Sequence, residues 1–256
     1  MRTNLKFIDD SRILNIESLV SNYQSCLKYG ESTANRGDKM AKVAVIDYDM
    51  GNLHSACKGL EKAGAIPQIT NSSDDILNAD AVVLPGVGAF DPAMKHIRER
   101  DLEATIKQAI ALGKPFLGIC LGLQILFDGS EEGTERGLGI VPGIVRRFKS
   151  EPNITIPQMG WNQLKLSQSN HELWQNLPPD PYVYFVHSFY VEPVDPSFNA
   201  AMVTHGSQTV TAAIARDNLM AVQFHPEKSS DNGLRILSNF VTLVRSRNLV
   251  VDAVFN

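Results

Sequence analysis

Cysteine is scarce in this sequence, and that scarcity narrows the class of protein. Only Cys26, Cys57 and Cys120 are present, so they cannot all pair with one another, and no two share the C-x-x-C spacing of zinc and redox motifs. A disulfide framework and a zinc site are therefore excluded. Such sparse cysteine usage predicts a reduced, intracellular protein, and we expect a cytoplasmic one without a metal site.

Long apolar runs, a secretory signal and a strong charge of one sign are missing too. No run approaches the roughly 20 residues that a membrane helix needs, and the start, MRTNLKFIDDSR, carries acids but no apolar core. The net charge is −4, and the densest basic stretch, RRFK at 146–149, is short. We therefore expect binding neither to a membrane nor to nucleic acid.

The first 40 residues differ in composition from the rest of the chain. Apolar residues at helical spacing over 13–23 predict a helix, and YGESTANRGDK after it is typical of a polar linker. Two interpretations stay open: a helix that covers the domain, or an extension outside the functional unit, with Met40 as the start in the cell. We favour the second, which divides the chain into an extension, 1–40, and a functional domain, 41–256.

From residue 42 apolar strands alternate with amphipathic helices. Alternation of this kind predicts an α/β fold with a doubly wound, mostly parallel sheet. The predicted strands have the continuous apolar character of strands buried on both faces, and they are KVAVIDY, IPQIT, DAVVLPG and PFLGI. The predicted helices cover 52–64, a short stretch near 74–78, one long segment at 91–114, LGLQILF after Cys120, and 230–246.

After about residue 135 the strand candidates follow one another closely, joined by short turns. This arrangement predicts antiparallel strands that are added to the same mixed sheet in one domain. The stretches concerned are LGIVPGIVRRF, NQLKL, YVYFVHSFYV, AAMVTH, TVTAAIAR and LMAVQF.

Cys120 lies between Gly118 and Gly122, at the junction of a strand and a helical pattern. This is the G-x-nucleophile-x-G arrangement of a nucleophile elbow, with Cys in place of Ser. The glycines allow a sharp, strained turn to approach its neighbours, and the following helix N-terminus favours the thiolate. The backbone N–H of Leu121 is suited to an oxyanion hole. The alternative is a buried structural cysteine, as we expect for Cys57 on the apolar face of its helix.

His225 is the best-placed base among the six histidines. It ends an apolar strand and precedes a proline, which keeps the preceding residue extended. Residues two apart in an extended chain face the same way, so His225 and Glu227 present an imidazole and a carboxylate to one side. That is the base and orienting pair of a catalytic triad. The alternative is a turn with a surface glutamate.

The segment Pro85-Gly-Val-Gly88 follows a buried strand at the same end of the sheet as Cys120. It lacks the G-x-G-x-x-G and lysine patterns of phosphate loops. Its glycines would let a peptide plane rotate and present an N–H near Val87 or Gly88 as a second oxyanion donor. A Cys-His-Glu triad with such a hole performs acyl transfer through a thioester, so protease, thioesterase and amidase all remain open.

Several motifs in order carry a resemblance to a known family. GICLGLQILF, PGVGAF and HPEKS together resemble the class I glutamine amidotransferases. DYDMGNLHS, MGWN at 159–162 and YFVHSFY at 184–190 are similar to the glutaminase subunits of imidazole glycerol phosphate synthase, in histidine biosynthesis. The likeness spans residues 42–244. It implies a flavodoxin-like fold, hydrolysis of glutamine to glutamate and ammonia without a cofactor, and delivery of the ammonia to a cyclase that makes imidazole glycerol phosphate and AICAR.

The resemblance also implies catalytic roles. Cys120 would attack the side-chain amide of L-glutamine, His225 would pass the thiol proton to the leaving ammonia, and Glu227 would orient His225. The oxyanion hole would comprise the N–H of Leu121 and a turned N–H at Val87 or Gly88.

Substrate and partner contacts follow from the same resemblance. Glu132 would hold the α-ammonium group, and the backbone around Ser188 and Phe189 would take the α-carboxylate. The substrate-binding set is completed by Gln124 and His187. The implied partner is a cyclase subunit with a (β/α)₈ barrel, in a heterodimer through which ammonia passes, and the residues facing it would be Asn52, Tyr184 and Lys228.

One position departs from the family pattern. The family usually has D-Y-G-x-G-N, whereas this chain has Asp49 in place of that glycine. If the position requires a positive φ, Asp tolerates it only moderately, and an added carboxylate would alter docking near Asn52. Two other functions stay open: the glutaminase of a different synthase, and a catalytically idle interaction module that keeps the fold.

Overall fold

A mixed eleven-stranded sheet forms the centre of the computed structural model, which describes residues 40–254. Its middle is parallel, in the order β2-β1-β3-β4-β13. β3, β4 and β13 are buried along their whole length, as the continuous apolar runs predict. The bounds are β1 (Lys42–Ile46), β2 (Ile66–Thr70), β3 (Ala81–Gly86), β4 (Phe116–Cys120) and β13 (Leu219–Val222).

Antiparallel strands extend the sheet beyond β13, which confirms the mixed sheet. The order continues β12-β10-β6-β5, and β11 pairs with β12 and β8. β5 is parallel to β6, and the other pairs are antiparallel. The bounds are β5 (Gly129–Ser130), β6 (Gly143–Arg147), β8 (Lys165–Leu166), β10 (Phe189–Pro193), β11 (Asn199–His205) and β12 (Gln208–Arg216).

The prediction of one strand over 182–191 is wrong, because the chain bends at Ser188. The part before the bend, β9 (Tyr182–His187), pairs with β7 (Gln158–Gln163) in a separate two-stranded sheet, and the part after it, β10, joins the main sheet. NQLKL is likewise divided, between β7 and β8. The hydrophobic pattern is continuous through the bend, so the sequence alone does not reveal the change of partner.

Helices cover both faces of the sheet, as a doubly wound fold requires. One apolar cluster includes residues of α1 and α6, and the other includes residues of α2, α3 and α4. Cys57 is buried in the first cluster, which confirms that it packs in the core. The helices are α1 (Leu53–Lys62), α2 (Ser73–Asn78), α3 (Phe90–Glu99), α4 (Leu102–Ala111), α5 (Leu121–Gln124) and α6 (Ser230–Val254).

The single long helix predicted over 91–114 is wrong. The chain turns at Arg100 and Asp101, where Asp101 has a φ of 55°, and α3 and α4 follow one another as separate helices. Asp adopts this left-handed conformation more readily than most residues. The break lets both helices turn apolar residues such as Ile97 and Ile106 toward the same cluster. The helical spacing of apolar residues continues through the break, so the sequence pattern alone does not reveal it.

LGLQILF forms only one helical turn, so the longer helix predicted there is wrong. Ile125, Leu126 and Phe127 are fully buried. Their carbonyl oxygens accept hydrogen bonds from the backbone of residues 138–141 instead of continuing a helix. Within residues 40–254, no helix is both long and apolar enough to cross a membrane. The predicted N-terminal helix and Cys26 lie outside the described residues.

Candidate active site

The turn at Cys120 is a strained elbow between β4 and α5. Cys120 has φ 55° and ψ −110°, a conformation that costs a residue with a Cβ atom free energy. Its backbone is register-paired with Gly86 at the end of β3. The residue is 7% exposed, and it lines the cavity described below.

The two flanking glycines fit spaces that no side chain could enter. A Cβ atom on Gly118 would be 2.8 Å from the carbonyl oxygen of Gly122, and one on Gly122 would overlap the carbonyl oxygen of Leu84 in β3. The elbow is therefore packed directly against the backbone of the neighbouring strand. This close packing explains why glycines flank Cys120, as the sequence pattern indicated.

Gln223, rather than a long helix, provides a polar contact to the sulfur. α5 has only four residues, so its dipole is weaker than the longer helix of the sequence prediction would supply. Gln223 is fully buried, and its Nε2 donates to Sγ of Cys120 at 3.7 Å. Its Oε1 accepts from Nε2 of Gln124 at 3.1 Å, and that nitrogen also donates to the carbonyl oxygen of Phe189 at 3.1 Å. A chain of hydrogen bonds thus links the sulfur to the cavity wall.

Sequence reasoning missed Gln223, although a signal was present. A glutamine inside the apolar run LMAVQF is unusual for a buried strand end. Gln223 stands two residues before His225, just as Glu227 stands two residues after it, so the alternation that pairs His225 with Glu227 also includes Gln223.

His225 and Glu227 form a buried ion pair. Nδ1 of His225 lies 2.8 Å from Oε1 of Glu227, and the two side chains are 2% and 4% exposed. His225 is extended, with φ −99° and ψ 97°, as its position before proline predicts. Its backbone is fixed on both sides, because its N–H donates to the carbonyl oxygen of Tyr184 and its own carbonyl oxygen accepts from the hydroxyl of Ser229.

The charges around His225 favour the imidazolium form. Burial alone lowers the pKa of His225, but Cys120 and Glu227 outweigh it and raise that pKa to about 9. Nε2 of His225 has no hydrogen-bond partner among the described residues. Cys120 therefore acts on this pKa across a gap rather than through a well-formed hydrogen bond. At neutral pH the proton on Nε2 is available for transfer within the cavity.

A cavity of about 310 Å³ opens in front of Cys120. It brings together ten residues that the sequence and the resemblance singled out, from segments far apart in the chain. Pro157 and Val186 also line it and were not anticipated. The ten are Val87, Gly88, Cys120, Leu121, Gln124, Glu132, His187, Ser188, Phe189 and His225.

Glu132 brings a carboxylate to the cavity on a loop that is fastened to α3. Its Oε2 accepts from the N–H of Phe90 at 2.9 Å. The rest of the loop is held by Asp91, whose carboxylate accepts from the N–H groups of Thr134 and Glu135 at 2.9 and 3.0 Å. The negative charge of Glu132 is thus fixed where a substrate ammonium group could approach it.

His187 supports the bend at Ser188 instead of acting as a second base. Burial lowers its pKa to about 4, so the ring is neutral. Its Nδ1–H donates to the carbonyl oxygen of Phe189 at 2.8 Å, and Nε2 lies 3.0 Å from the side-chain amide of Gln158. A neutral Nε2 must accept, so the amide presents its NH₂ group, which also gives that otherwise unpartnered nitrogen a hydrogen bond.

The glycine-rich segment is held in a conformation that withholds one N–H from the cavity. The N–H of Val87 donates to the carbonyl oxygen of Met50 at 3.1 Å. Gly88 has a φ of 103°, which favours glycine. We expect Val87 to serve as an oxyanion donor only if this peptide plane turns.

Asp49 occupies a position that does have a positive φ, as the family glycine suggested. Its φ is 66°. Its carboxylate pairs with Arg100 at the end of α3 and lies 3.8 Å from Nδ1 of His96. These interactions hold the strained Asp49 in place, and they thereby fix the position of the loop that contains Met50.

The three residues expected to face a partner lie on different segments. Asn52 caps α1, accepting from the N–H of Ser55 at 3.3 Å, and Lys228 lies in the 3₁₀ turn Pro226–Lys228. Tyr184 is in β9, where its ring packs edge-on against Trp161. Asn52, His225 and Glu227 also line a second crevice, behind the glycine-rich segment, that has no room for a water-sized sphere.

Apolar side chains are exposed beside Tyr184, on the β7–β9 sheet. Met159, Trp161 and Tyr182 are 65%, 52% and 52% exposed. We call these three residues the β7–β9 patch. In residues 40–254, no group of three or more His, Cys, Asp or Glu side chains could hold a metal ion.

Comparison with known proteins places this chain in a family. The family model described as glutamine amidotransferase class-I matches residues 44–244, more than half of the chain. The chain therefore belongs to the class I glutamine amidotransferases.

Within that class, the chain falls among the HisH proteins. A relative from Gloeothece citriformis, named imidazole glycerol phosphate synthase subunit HisH, is 74% identical over 206 residues, 80% of this chain and 98% of the relative. One of the same name from Microcystis aeruginosa is 71% identical over 211 residues, 82% of this chain and 100% of the relative. The solved structure of PurLQS from Thermotoga maritima has a TM-score of 0.63 at 19% identity, covers 80% of this chain and 99% of its own, and shares the fold.

The packing of the elbow predicts unequal effects of two glycine substitutions. Gly122→Ala should lower the free energy of unfolding by about 3 kcal/mol or more, because its Cβ would overlap the carbonyl oxygen of Leu84. Gly129→Ala is the matched control: the nearest atom to its added Cβ is 3.7 Å away, so it should change stability by less than about 1 kcal/mol. Urea unfolding measures both, and equal stability of the two variants would contradict close packing at the elbow.

The ion pair predicts a change in the titration of His225. Glu227→Gln removes the adjacent negative charge, so the pKa of His225 should fall below the value of about 9, as NMR titration of labelled histidines would measure. Glu192→Gln, which alters an exposed carboxylate paired with Arg146, should leave it at about 9. An unchanged pKa in Glu227→Gln would mean that the carboxylate does not stabilise the imidazolium.

The same pair predicts how stability depends on pH. The pKa of His225 is raised in the folded protein from 6.5 to about 9. Its stabilising contribution is therefore fully present below about pH 6.5 and is lost as the pH rises through about 9. Unfolding of Glu227→Gln should show less of this alkaline loss than unfolding of the unsubstituted protein.

Proposed function

We propose that this protein is the glutaminase subunit of an imidazole glycerol phosphate synthase. In this proposal it hydrolyses L-glutamine to glutamate and ammonia and delivers the ammonia to a cyclase subunit in histidine biosynthesis. The observation that carries it is a single cavity lined by the strained Cys120, by His225, which is paired with the buried Glu227, and by the carboxylate of Glu132, in a chain 74% identical to a HisH subunit.

The proposed reaction assigns one task to each group. Sγ of Cys120 attacks the side-chain carbonyl carbon of glutamine, and the proton held by His225 goes to the departing ammonia. Water then attacks the thioester, with His225 as base, and releases glutamate and the thiol. Glu227 orients the imidazole throughout. The N–H of Leu121, joined by that of Val87 or Gly88, stabilises the oxyanion in both steps.

Substrate recognition in this proposal depends on fixed polar groups. Glu132 pairs with the α-ammonium group, and the backbone at Ser188 and Phe189 takes the α-carboxylate. Gln124 has both hydrogens of its amide nitrogen engaged by Gln223 and Phe189, so its Oε1 is the atom left to accept from the substrate. His187 holds the bend at Ser188 in place.

The partner in this proposal is a cyclase subunit with a (β/α)₈ barrel, and the complex is a heterodimer. The relatives are named as subunits of a synthase, which implies a second subunit. The β7–β9 patch supports a docking surface beside Tyr184, since large exposed apolar side chains that cluster are typical of interfaces. Asn52 and Lys228 would complete the contact. Ammonia is passed to the cyclase through this contact.

The resting geometry supports low activity without the partner. The N–H of Val87 is occupied by Met50, and the crevice beside Asn52 is closed to a water-sized sphere. Docking of the cyclase would release the N–H of Val87 from Met50 and open the crevice beside Asn52.

The domain boundaries and the location in the cell belong to the same proposal. Residues 41–256 would form the amidotransferase domain, residues 1–40 an extension outside it, and the protein would act in the cytoplasm. Peptide mapping of the native N-terminus tests the boundary. Recovery of residues 1–39 from the native protein would exclude a start at Met40.

The proposed nucleophile predicts a complete loss of turnover in Cys120→Ala. The unsubstituted protein should release glutamate at a high rate only with the histidine-pathway cyclase and its ribonucleotide ligand, and Cys57→Ala should do the same. Turnover that survives Cys120→Ala would rule out the triad. Retained cyclase binding by Cys120→Ala would show that the loss is chemical.

The proposed partner predicts selective stimulation. Glutamate release should rise with the histidine-pathway cyclase and not with the synthase subunits of other class I amidotransferases. Absence of stimulation by that cyclase would defeat this choice of synthase while leaving the glutaminase chemistry intact.

The β7–β9 patch predicts where docking is sensitive to charge. Met159→Asp should weaken binding to the cyclase by about tenfold or more, because it puts a carboxylate on an apolar contact surface. Val194→Asp is the matched control, since Val194 is 75% exposed outside the patch. Isothermal titration with the purified cyclase measures both, and equal weakening by the two variants would exclude the patch as the interface.

A further inference from the structure

The hydroxyl of Tyr48 is a buried polar group without a hydrogen-bond partner. Tyr48 follows β1 and is fully buried, and its hydroxyl makes no hydrogen bond among the described residues. An unpaired buried hydroxyl costs about 1–3 kcal/mol, and a phenylalanine would fill nearly the same space. Its presence therefore calls for a use outside the resting structure.

The hydroxyl lies against Gly86, whose carbonyl belongs to the same peptide group as the N–H of Val87, the proposed oxyanion donor. A Cβ atom on Gly86 would overlap it, and the same point is 2.9 Å from the backbone nitrogen of Gly122 and 2.9 Å from Cβ of Leu121. Tyr48 thus lies where β3 meets the elbow. Gly86 supplies the carbonyl half of the peptide whose N–H half belongs to Val87.

A peptide group turns as one rigid plane. When the N–H of Val87 leaves Met50 and points toward Cys120, the carbonyl oxygen of Gly86 must turn the opposite way. Gly86 is buried, and a buried carbonyl needs a donor. Among the unpartnered buried polar atoms of the described residues, the hydroxyl of Tyr48 is the one that lies against Gly86.

We propose that Tyr48 is a positioning residue whose hydroxyl donates to the carbonyl oxygen of Gly86 once Val87 has turned its N–H toward Cys120. The hydroxyl would stabilise the competent arrangement and leave the resting one unsatisfied. This inference rests on the proposed glutaminase function and names a group that drives its activation.

The state of the hydroxyl suits that task. Burial first, and the nearby Cys120 second, raise the pKa of Tyr48. The phenol therefore keeps its proton over the working pH range and remains a hydrogen-bond donor.

Tyr48→Phe is the decisive variant, because a structural role and a positioning role predict opposite results. If the hydroxyl has no partner at rest, removing it should leave the thermal midpoint of the free subunit unchanged or raise it by a few °C. The cyclase-stimulated kcat should nevertheless fall by roughly five- to tenfold, the worth of one hydrogen bond. KM for glutamine and the affinity for the cyclase should stay as they are.

Tyr190→Phe is the matched control. Tyr190 belongs to β10, its ring packs against Phe148, and it is not among the nearest neighbours of Gly86. The kcat of Tyr190→Phe should therefore match that of the unsubstituted protein. A Tyr48→Phe subunit with full stimulated kcat would overturn the inference. So would a midpoint lowered by more than roughly 4 °C, since the hydroxyl would then be satisfied at rest.

Cys120→Ala assayed alongside separates this inference from the function on which it rests. Turnover that survives in Cys120→Ala removes the glutaminase chemistry itself. Loss of turnover in Cys120→Ala together with full activity in Tyr48→Phe removes only the role of Tyr48.

Discussion

The contact between the Cys120 elbow and β3 is the constraint on which the site depends. Gly122 lies so close to the carbonyl oxygen of Leu84 that no side chain fits between them, and the register pairs Cys120 with Gly86. The strained conformation of Cys120 is maintained by this packing, since a turn free to relax would give up its positive φ. The sheet, the elbow and the glycine-rich segment are therefore packed together as one rigid unit. This unit fixes the positions of the polar groups around the sulfur.

The neighbouring groups decide what each buried imidazole in this unit does. His225 and His187 are both almost inaccessible, yet the pKa of one is raised to about 9 and that of the other lowered to about 4. The pKa values differ because the neighbouring groups differ. A carboxylate and a thiol lie beside His225, whereas a carbonyl and an amide lie beside His187. The first is therefore suited to carry a proton in the proposed reaction, and the second is a fixed support.

The sequence predicted the parts of the structure that local patterns encode. Continuous apolar runs located the parallel strands, and glycine and proline spacing located the elbow and the extended His225. The break at Asp101, the short α5 and the bend at Ser188 escaped, because each depends on contacts with distant residues that no window of sequence contains. Gln223 escaped for another reason: its alternation with His225 was visible, but its partner, Gln124, became apparent only in three dimensions.

The division of one apolar stretch between two sheets has a consequence for how this chain can change over evolutionary time. β9 carries Tyr184 and Tyr182 toward the outside, and only a few residues later the same backbone forms the wall of the cavity at Ser188 and Phe189. An insertion or deletion anywhere between these points would shift both surfaces together. The exposed β7–β9 patch and the wall of the cavity are thus linked by chain length, and neither can change there without the other.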